Sequence, residues 1–149
     1  MDDIKWLREM LRQELDLMAP SLARIGKNTV IIKDEIARPI AHARLSARWD
    51  GHEINAFVID PANRGKGISH ELLNRCGGGR LFAYTRDARL QSALMTAGFE
   101  RMRTPGLVAL LGVMAARANS VLWMLILLEF RRLKHQLINL FNYKLFVRE

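Results

Sequence analysis

Hydrophobic and polar positions follow two different periods along this chain. Ile4, Leu7, Leu11, Leu15 and Met18 recur at helical spacing, which predicts a first helix capped by Asp2 or Asp3 and ended by Pro20. Ser21 to Ile25 predicts a further short turn. Thr29–Lys33 is apolar and β-branched and predicts a strand. From Pro39 to Trp49 the period is two. Ala41, Ala43, Leu45, Ala47 and Trp49 share one face, with His42, Arg44, Ser46 and Arg48 on the other, the pattern of a half-exposed strand. Asp50-Gly51 then predicts a type I′ hairpin, so the strand His52–Ile59 returns antiparallel.

Ala56 to Ile59 is an apolar run that fits a buried strand, and Asp60-Pro61 ends it, since proline cannot donate to a ladder. Arg64 to Gly67 is a basic, glycine-rich turn. Ile68, Leu72 and Leu73 continue as the apolar face of a helix to about Arg75, stopped by Gly77, Gly78 and Gly79. Leu81 to Tyr84 is a second short apolar strand, so a parallel strand–helix–strand unit is expected. Ala88–Ala97 has Leu90, Ala93, Leu94 and Ala97 on one face, with Gly98 and Phe99 at its exit. Pro105 opens a helical segment, Leu107–Arg117. Val121–Leu128 is apolar throughout and admits helix or strand, because periodicity cannot arbitrate in such a run. Leu133, Leu137, Leu140 and Phe141 predict an amphipathic C-terminal helix over 131–149, carrying Arg131, Arg132 and Lys134. Its apolar stripe needs a cover, supplied by the domain or by a second copy in a homodimer.

Composition narrows the class. A chain of 149 residues, 50% hydrophobic, suits one domain spanning 1–149 with a real core. The net charge of +8 favours acidic partners: nucleic acid, anionic lipid or an acidic cofactor. There is neither a base-stacking aromatic platform nor a helix-turn-helix signature, so no nucleic acid is expected. The single cysteine, Cys76, excludes an intramolecular disulfide and fits a reducing, cytoplasmic setting. Asp2 and Asp3 do not suit a signal peptide. The longest uncharged runs, Thr104–Ala116 and Ala118–Leu128, are separated by Arg117. Each falls short of the roughly 18–20 residues that span a bilayer, so no membrane span is expected. His42, His52, His70 and His135 show no ligand spacing with Cys76, so no metal is expected.

The chemistry lies in the glycine turn. A helix starting there leaves its first backbone amides unpaired and aimed into the turn, which is a site for phosphate. Gly65 and Gly67 let a ligand approach the backbone, and Arg64 and Lys66 add positive charge. Val58-Ile59-Asp60-Pro61 followed by Arg64-Gly65-Lys66-Gly67-Ile68-Ser69 resembles the acyl-CoA signature of the GNAT N-acyltransferases. In that pattern an Arg or Gln is followed after two residues by Gly, and two further on by Gly or Ala. Arg64 and Gly67 match, and Ser69 replaces the last small residue. The resemblance runs from about Ile31 to Glu100 and includes the helix ending in Gly98-Phe99.

That resemblance implies an α/β (α+β) fold: a mixed, mostly antiparallel central sheet with a parallel cofactor-binding unit, flanked by helices. It also implies a late strand beside the central pair, and so selects strand for Val121–Leu128. Acetyl-CoA would be the co-substrate and an amine, on a small molecule or a protein, the acceptor. Phe57, Val58 and Ile59 would pair with the pantetheine arm through their backbones, and Arg64, Gly65, Lys66, Gly67, Ile68 and Ser69 would hold the pyrophosphate. A protonated amine cannot attack a thioester, so a base or a water chain must take its proton. Glu53, on the strand entering the site, is the candidate base. His52 and His42 are weaker candidates, read as surface histidines. The family's usual acid, a tyrosine four residues before Gly-Phe, is Leu94 here, and Tyr84 is the candidate substitute. Two other readings stay open: a catalytically inactive binding or regulatory protein of the same fold, and a peripheral membrane or protein-interaction module using the basic, apolar C-terminus.

Overall fold

The structure, a computed structural model, describes residues 2–149. Asp2 caps helix α1 (Asp3–Gln13), its carboxylate accepting from the Ile4 amide at 3.2 Å. The helix stops well before Pro20, so Leu15 and Met18 fall on the following loop. Strands β1 (Thr29–Lys33), β2 (Pro39–Arg48) and β3 (Gly51–Ile59) form an antiparallel meander. The β2–β3 hairpin turns one residue earlier than expected. Trp49 and Asp50 are its loop, and Gly51 already pairs with Arg48. Gly51 serves the packing there, because a Cβ on it would lie 2.8 Å from the Arg80 carbonyl.

Helix α2 (Ile68–Arg75) joins β3 to β4 (Leu81–Thr85), and α3 (Ala88–Thr96) leads to β5 (Glu100–Met102). Helices α4 (Leu107–Ile126) and α5 (Phe130–Ile138) precede the last strand, β6 (Lys144–Arg148). The sheet order is β1-β2-β3-β4-β6-β5, and β3–β4 is the parallel pair. This is the expected mixed, mostly antiparallel sheet flanked by helices. Strand alternation divides the core. Ala41, Ala43, Ile54, Ala83 and Phe146 meet α2 and α3 through Leu72, Leu73 and Leu94. On the opposite face Val58 packs against α1, while Phe82, Leu145 and Val147 pack against Ala109 and Val113 of α4.

Two expectations fail in the last third. Val121–Leu128 is not a strand; residues 121–126 complete one continuous 20-residue helix. No glycine or proline interrupts the chain between Val113 and Ile126, and the Ser120 hydroxyl donates to the Ala116 carbonyl one turn back at 2.9 Å. The two uncharged runs therefore join across Arg117 into a helix long and apolar enough, by length and composition, to cross a membrane. Nor are residues 131–149 one amphipathic helix. The helix ends at Ile138, and Lys144–Arg148 is the inserted strand, between β4 and β5. The stripe Leu137, Leu140 and Phe141 is not packed on the domain but exposed. Arg132 and Gln136 face inward instead, donating to backbone carbonyls of the loop after α1.

Candidate active site

Strands β3 and β4 pair only through His52–Leu81 and Glu53–Phe82, and beyond that point they part. A bulge in β3 lies just past the fork: His42 faces Val58 and Arg44 faces Asn55, which leaves Ala56 and Phe57 opposite one residue of β2. Ala56 takes φ +47° there. The bulge bends β3, and because pairing with β4 stops at Glu53–Phe82 the β4-facing edge of β3 beyond it is left free. The strand ends in an Asp60 turn, with Asp60 Oδ1 accepting from the Ala62 amide at 2.9 Å. The glycine turn follows, and Gly67 (φ +77°) stands at the N-terminus of α2.

Among the described residues, the amides of Gly65 to Ser69 find no protein acceptor, and α2 has no side-chain cap. A Cβ built on Gly67 would meet nothing within 4 Å. The turn therefore presents bare donors to open space, as an anion cradle requires. Phe57, Val58, Ile59, Arg64, Gly65, Ile68 and Ser69 line one cleft of about 170 Å³. Lys66 and Gly67 belong to the turn but lie outside that lining, and Lys66 Nζ donates to Asn63 at 3.1 Å. Glu14, Asp16 and Asp87 also border the cleft. Their charges are matched by Arg64 (3.3 Å), Arg86 (2.8 Å) and Arg89 (3.5 Å) respectively, so they do not bar an anion.

Glu53 sits at the fork itself, its side chain 1% exposed. Arg48 holds Oε2 at 2.8 Å and Arg117 holds Oε1 at 2.6 Å. Arg117 in turn stands 5.7 Å from the centre of the Tyr84 ring, within cation–π range. Burial, and then the Glu53 charge, push the Tyr84 hydroxyl above its ordinary pKa, with Arg117 opposing. Tyr84 lines a second, wider cleft of about 850 Å³ at the ends of β4, β5 and β6. Arg86, Arg101, Arg103 and Lys144 line it too, and no carboxylate does.

Pattern reading missed a cluster drawn from four distant segments. Asp16 accepts from Tyr143 Oη at 2.8 Å and from Arg86 at 2.8 Å, and lies 2.8 Å from His135 Nε2. Burial raises the Asp16 pKa, but these hydrogen bonds outweigh it and hold the carboxyl below its usual range. Burial and the bond to Asp16 push Tyr143 upward. Arg132, its side chain 2% exposed, donates to the carbonyls of Leu11 (2.8 Å), Glu14 (2.6 Å) and Leu17 (2.7 Å). It caps α1 and fixes the loop that borders the first cleft. His42 is not a surface histidine. It is fully buried, with Nδ1 3.0 Å from the Ala56 carbonyl in the bulge, and burial lowers its pKa. His52 is exposed. Cys76 is buried, which pushes its thiol up to about 11, so it packs as a small apolar group. Leu94, on α3, is sealed in the core against the sheet and α2.

No family model and no curated protein matches the sequence. Solved structures do match. Rv2747 from Mycobacterium tuberculosis, in complex with CoA and NLQ, superposes with a TM-score of 0.66 over 97% of this chain and 92% of its own, at 18% identity. The third match, a GNAT superfamily phosphinothricin acetyltransferase from Sinorhizobium meliloti in complex with AcCoA, has a TM-score of 0.54 and 21% identity over 67% and 71% of the two chains. The chain has the GNAT fold. N-acetylglutamate synthase from Neisseria gonorrhoeae, complexed with coenzyme A and N-acetyl-glutamate, matches 99% of this GNAT-fold chain with a TM-score of 0.61 and 19% identity. The match spans 33% of the synthase.

Proposed function

We propose that this protein is an acetyl-CoA-dependent N-acetyltransferase that acts on an amine by direct attack. The observation that carries the proposal is the fork. Two parallel strands part after a two-residue pairing, directly beside a glycine turn with unpaired amides. Amides from Gly65 to Ser69 would hold the pyrophosphate, helped by Arg64 and Lys66, and the free edge of β3 at Phe57, Val58 and Ile59 would pair with the pantetheine arm. Acetyl-CoA supplies the activated acetyl group. Backbone N–H groups on that same edge can stabilise negative charge on the carbonyl oxygen under attack.

Tyr84 is the proposed acid. A tyrosine hydroxyl keeps its proton at neutral pH, Tyr84 stands on the strand that forms the other arm of the fork, and it would hand that proton to the coenzyme A thiolate as the C–S bond breaks. Glu53 is reassigned from base to positioning residue. Both its oxygens are occupied by guanidinium groups, and through Arg117 it sets the surroundings of Tyr84. The acceptor's proton then leaves through water in the wide cleft. Arg101, Arg103 and Lys144, which line that cleft without a carboxylate among its lining residues, favour an acceptor that carries an anionic group as well as its amine.

Release of coenzyme A thiol from acetyl-CoA, measured against a panel of amines with and without carboxylate or phosphate groups, tests this reading. Tyr84→Phe is expected to lower kcat at least about 100-fold, the usual scale of a general acid, while the thermal shift given by acetyl-CoA persists. No turnover with any amine, together with no acetyl-CoA binding, would overturn the proposal.

A further inference from the structure

The outer face of α4 and α5 plays no part in acetyl transfer, yet it is the most apolar surface of the molecule. Leu107, Leu111, Met114, Ala118, Leu122 and Leu125 recur every three to four residues on α4. All six are exposed, Leu107 at 76% and Met114 at 60%. The opposite side of α4 holds the helix to the sheet through Ala109 and Val113, which pack on Phe82, Leu145 and Val147, and through Gly112 beside Arg48, and Met124 is buried further along. Only 17% of its most apolar stretch is buried, so α4 is not a core helix. It lies along the body, and crossing a bilayer would strip that packing. Helix α5 extends the surface with exposed Phe130, Leu137 and Ile138. Monomeric soluble proteins rarely leave such a contiguous patch uncovered.

Charge decides what covers it. Between Arg101 and Arg148 the chain has eight arginines and lysines and one acidic residue, Glu129. That segment holds +7 of the protein's net +8. Helix α4 has no acidic residue, and Arg131 and Lys134 are exposed on α5, Lys134 one turn from Phe130 and Ile138. Of the eight cations, Arg101, Arg103 and Lys144 line the wide cleft, Arg117 pairs with Glu53, Arg132 is buried and Arg148 bonds the Gly77 and Ala97 carbonyls. The face itself therefore presents Arg131 and Lys134, and a second copy docked on it would set these against their own counterparts with Glu129 alone to offset them. An anionic lipid surface offers both what the leucines lack and what the cations lack.

We propose that the outer face of α4 and α5 docks this protein on anionic membrane surfaces. The apolar stripe enters the headgroup–acyl boundary, and Arg131 and Lys134 contact lipid phosphates and carboxylates. The protein rests on the bilayer without spanning it.

Co-sedimentation of the full chain with phosphatidylcholine vesicles, with and without phosphatidylserine, tests this. Binding is expected with phosphatidylserine and is weakened by salt. Leu111→Asp with Leu122→Asp should abolish it, and removing exposed leucines should leave the thermal midpoint unchanged or higher. Arg131→Gln and Lys134→Gln keep the apolar face and should each lower the partition coefficient about fivefold. Failure of the parent to bind phosphatidylserine vesicles would overturn the proposal. So would equal binding to both vesicle types. A concentration-dependent dimer that the double aspartate variant dissociates, with no vesicle binding, would assign the face to a second copy instead.

Discussion

Replacing Gly67 by valine separates the backbone of the glycine turn from its charges. Gly67 takes φ +77° and a Cβ there would project into open space. The native fold thus has room for the side chain, and two costs remain. The first is conformational: a residue with a Cβ in left-handed backbone is destabilised by roughly 1–2 kcal/mol, which for a domain of this size lowers Tm by about 2–8 °C. The second falls on the ligand, since the added methyls occupy the space in front of the unpaired amides. In the parent, if the turn holds acetyl-CoA as proposed, the ligand at 100 times its Kd is expected to stabilise the fold by about 2.7 kcal/mol, a shift of about 5–11 °C. Gly67→Val should show none of it. Gly67→Ala shares the strain with less obstruction and should keep part of the shift. Arg64 is held by two long contacts, 3.3 Å to Glu14 and 3.4 Å to the Ile59 carbonyl, with its side chain 38% exposed. Exposed pairs of this kind contribute about 0.2–1 kcal/mol, so Arg64→Ala should weaken binding no more than about fivefold. Scanning fluorimetry and titration calorimetry on the variants read both quantities. A full acetyl-CoA shift in Gly67→Val would refute the idea that the bare amides hold the ligand.

Two further substitutions probe the scaffold. Burial lowers the His42 pKa, so its contribution is fully present above the unfolded value of about 6.5 and is lost as pH falls from there through the folded value. Urea unfolding of the parent should therefore show stability declining below about pH 6.5, and His42→Gln, which can still donate to the Ala56 carbonyl, should flatten that part of the profile. Arg132→Met removes three hydrogen bonds to main-chain carbonyls, each worth about 1 kcal/mol. A loss of about 3 kcal/mol and about 6–12 °C in Tm is expected, and a change under about 2 °C would show that water replaces the guanidinium there.

The central part of the fold was legible because its signals are local. The β2 alternation, the Asp60-Pro61 break, the glycine turn and the Gly98 helix end each act within a few residues. The chain from Thr29 to Phe99 could thus be ordered from pattern alone. Val121–Leu128 carried no such signal. Its apolar residues lie on both sides of a helix whose outer face is exposed, so the burial that normally imposes a period is missing. The family resemblance implies a late strand beside the central pair, and the strand that fills that place, between β4 and β5, is Lys144–Arg148. Leu145, Phe146 and Val147 are an apolar run that suits a strand, and the helical spacing of Leu133, Leu137 and Leu140 just before them hides it.

The site divides the same way. The glycine turn is contiguous in sequence, and seven of the nine residues expected to bind the cofactor, from β3 and the turn together, line one cleft. The Asp16 cluster joins residues up to 127 positions apart, and no spacing rule can assemble it. The same holds for Arg132, which reads in sequence as one more cation on an amphipathic helix and is in fact the cap of a helix more than a hundred residues earlier. The exposed leucines of α4 and α5 follow from this arrangement. Once Arg132 and Gln136 turn toward the loop after α1, helical geometry directs Phe130, Leu137 and Ile138 away from the body. The polar side of α5 therefore holds the loop that borders the first cleft, and its apolar side is exposed. This inverts the usual arrangement of a surface helix, and it is why the last third of the chain is best understood by what lies outside it.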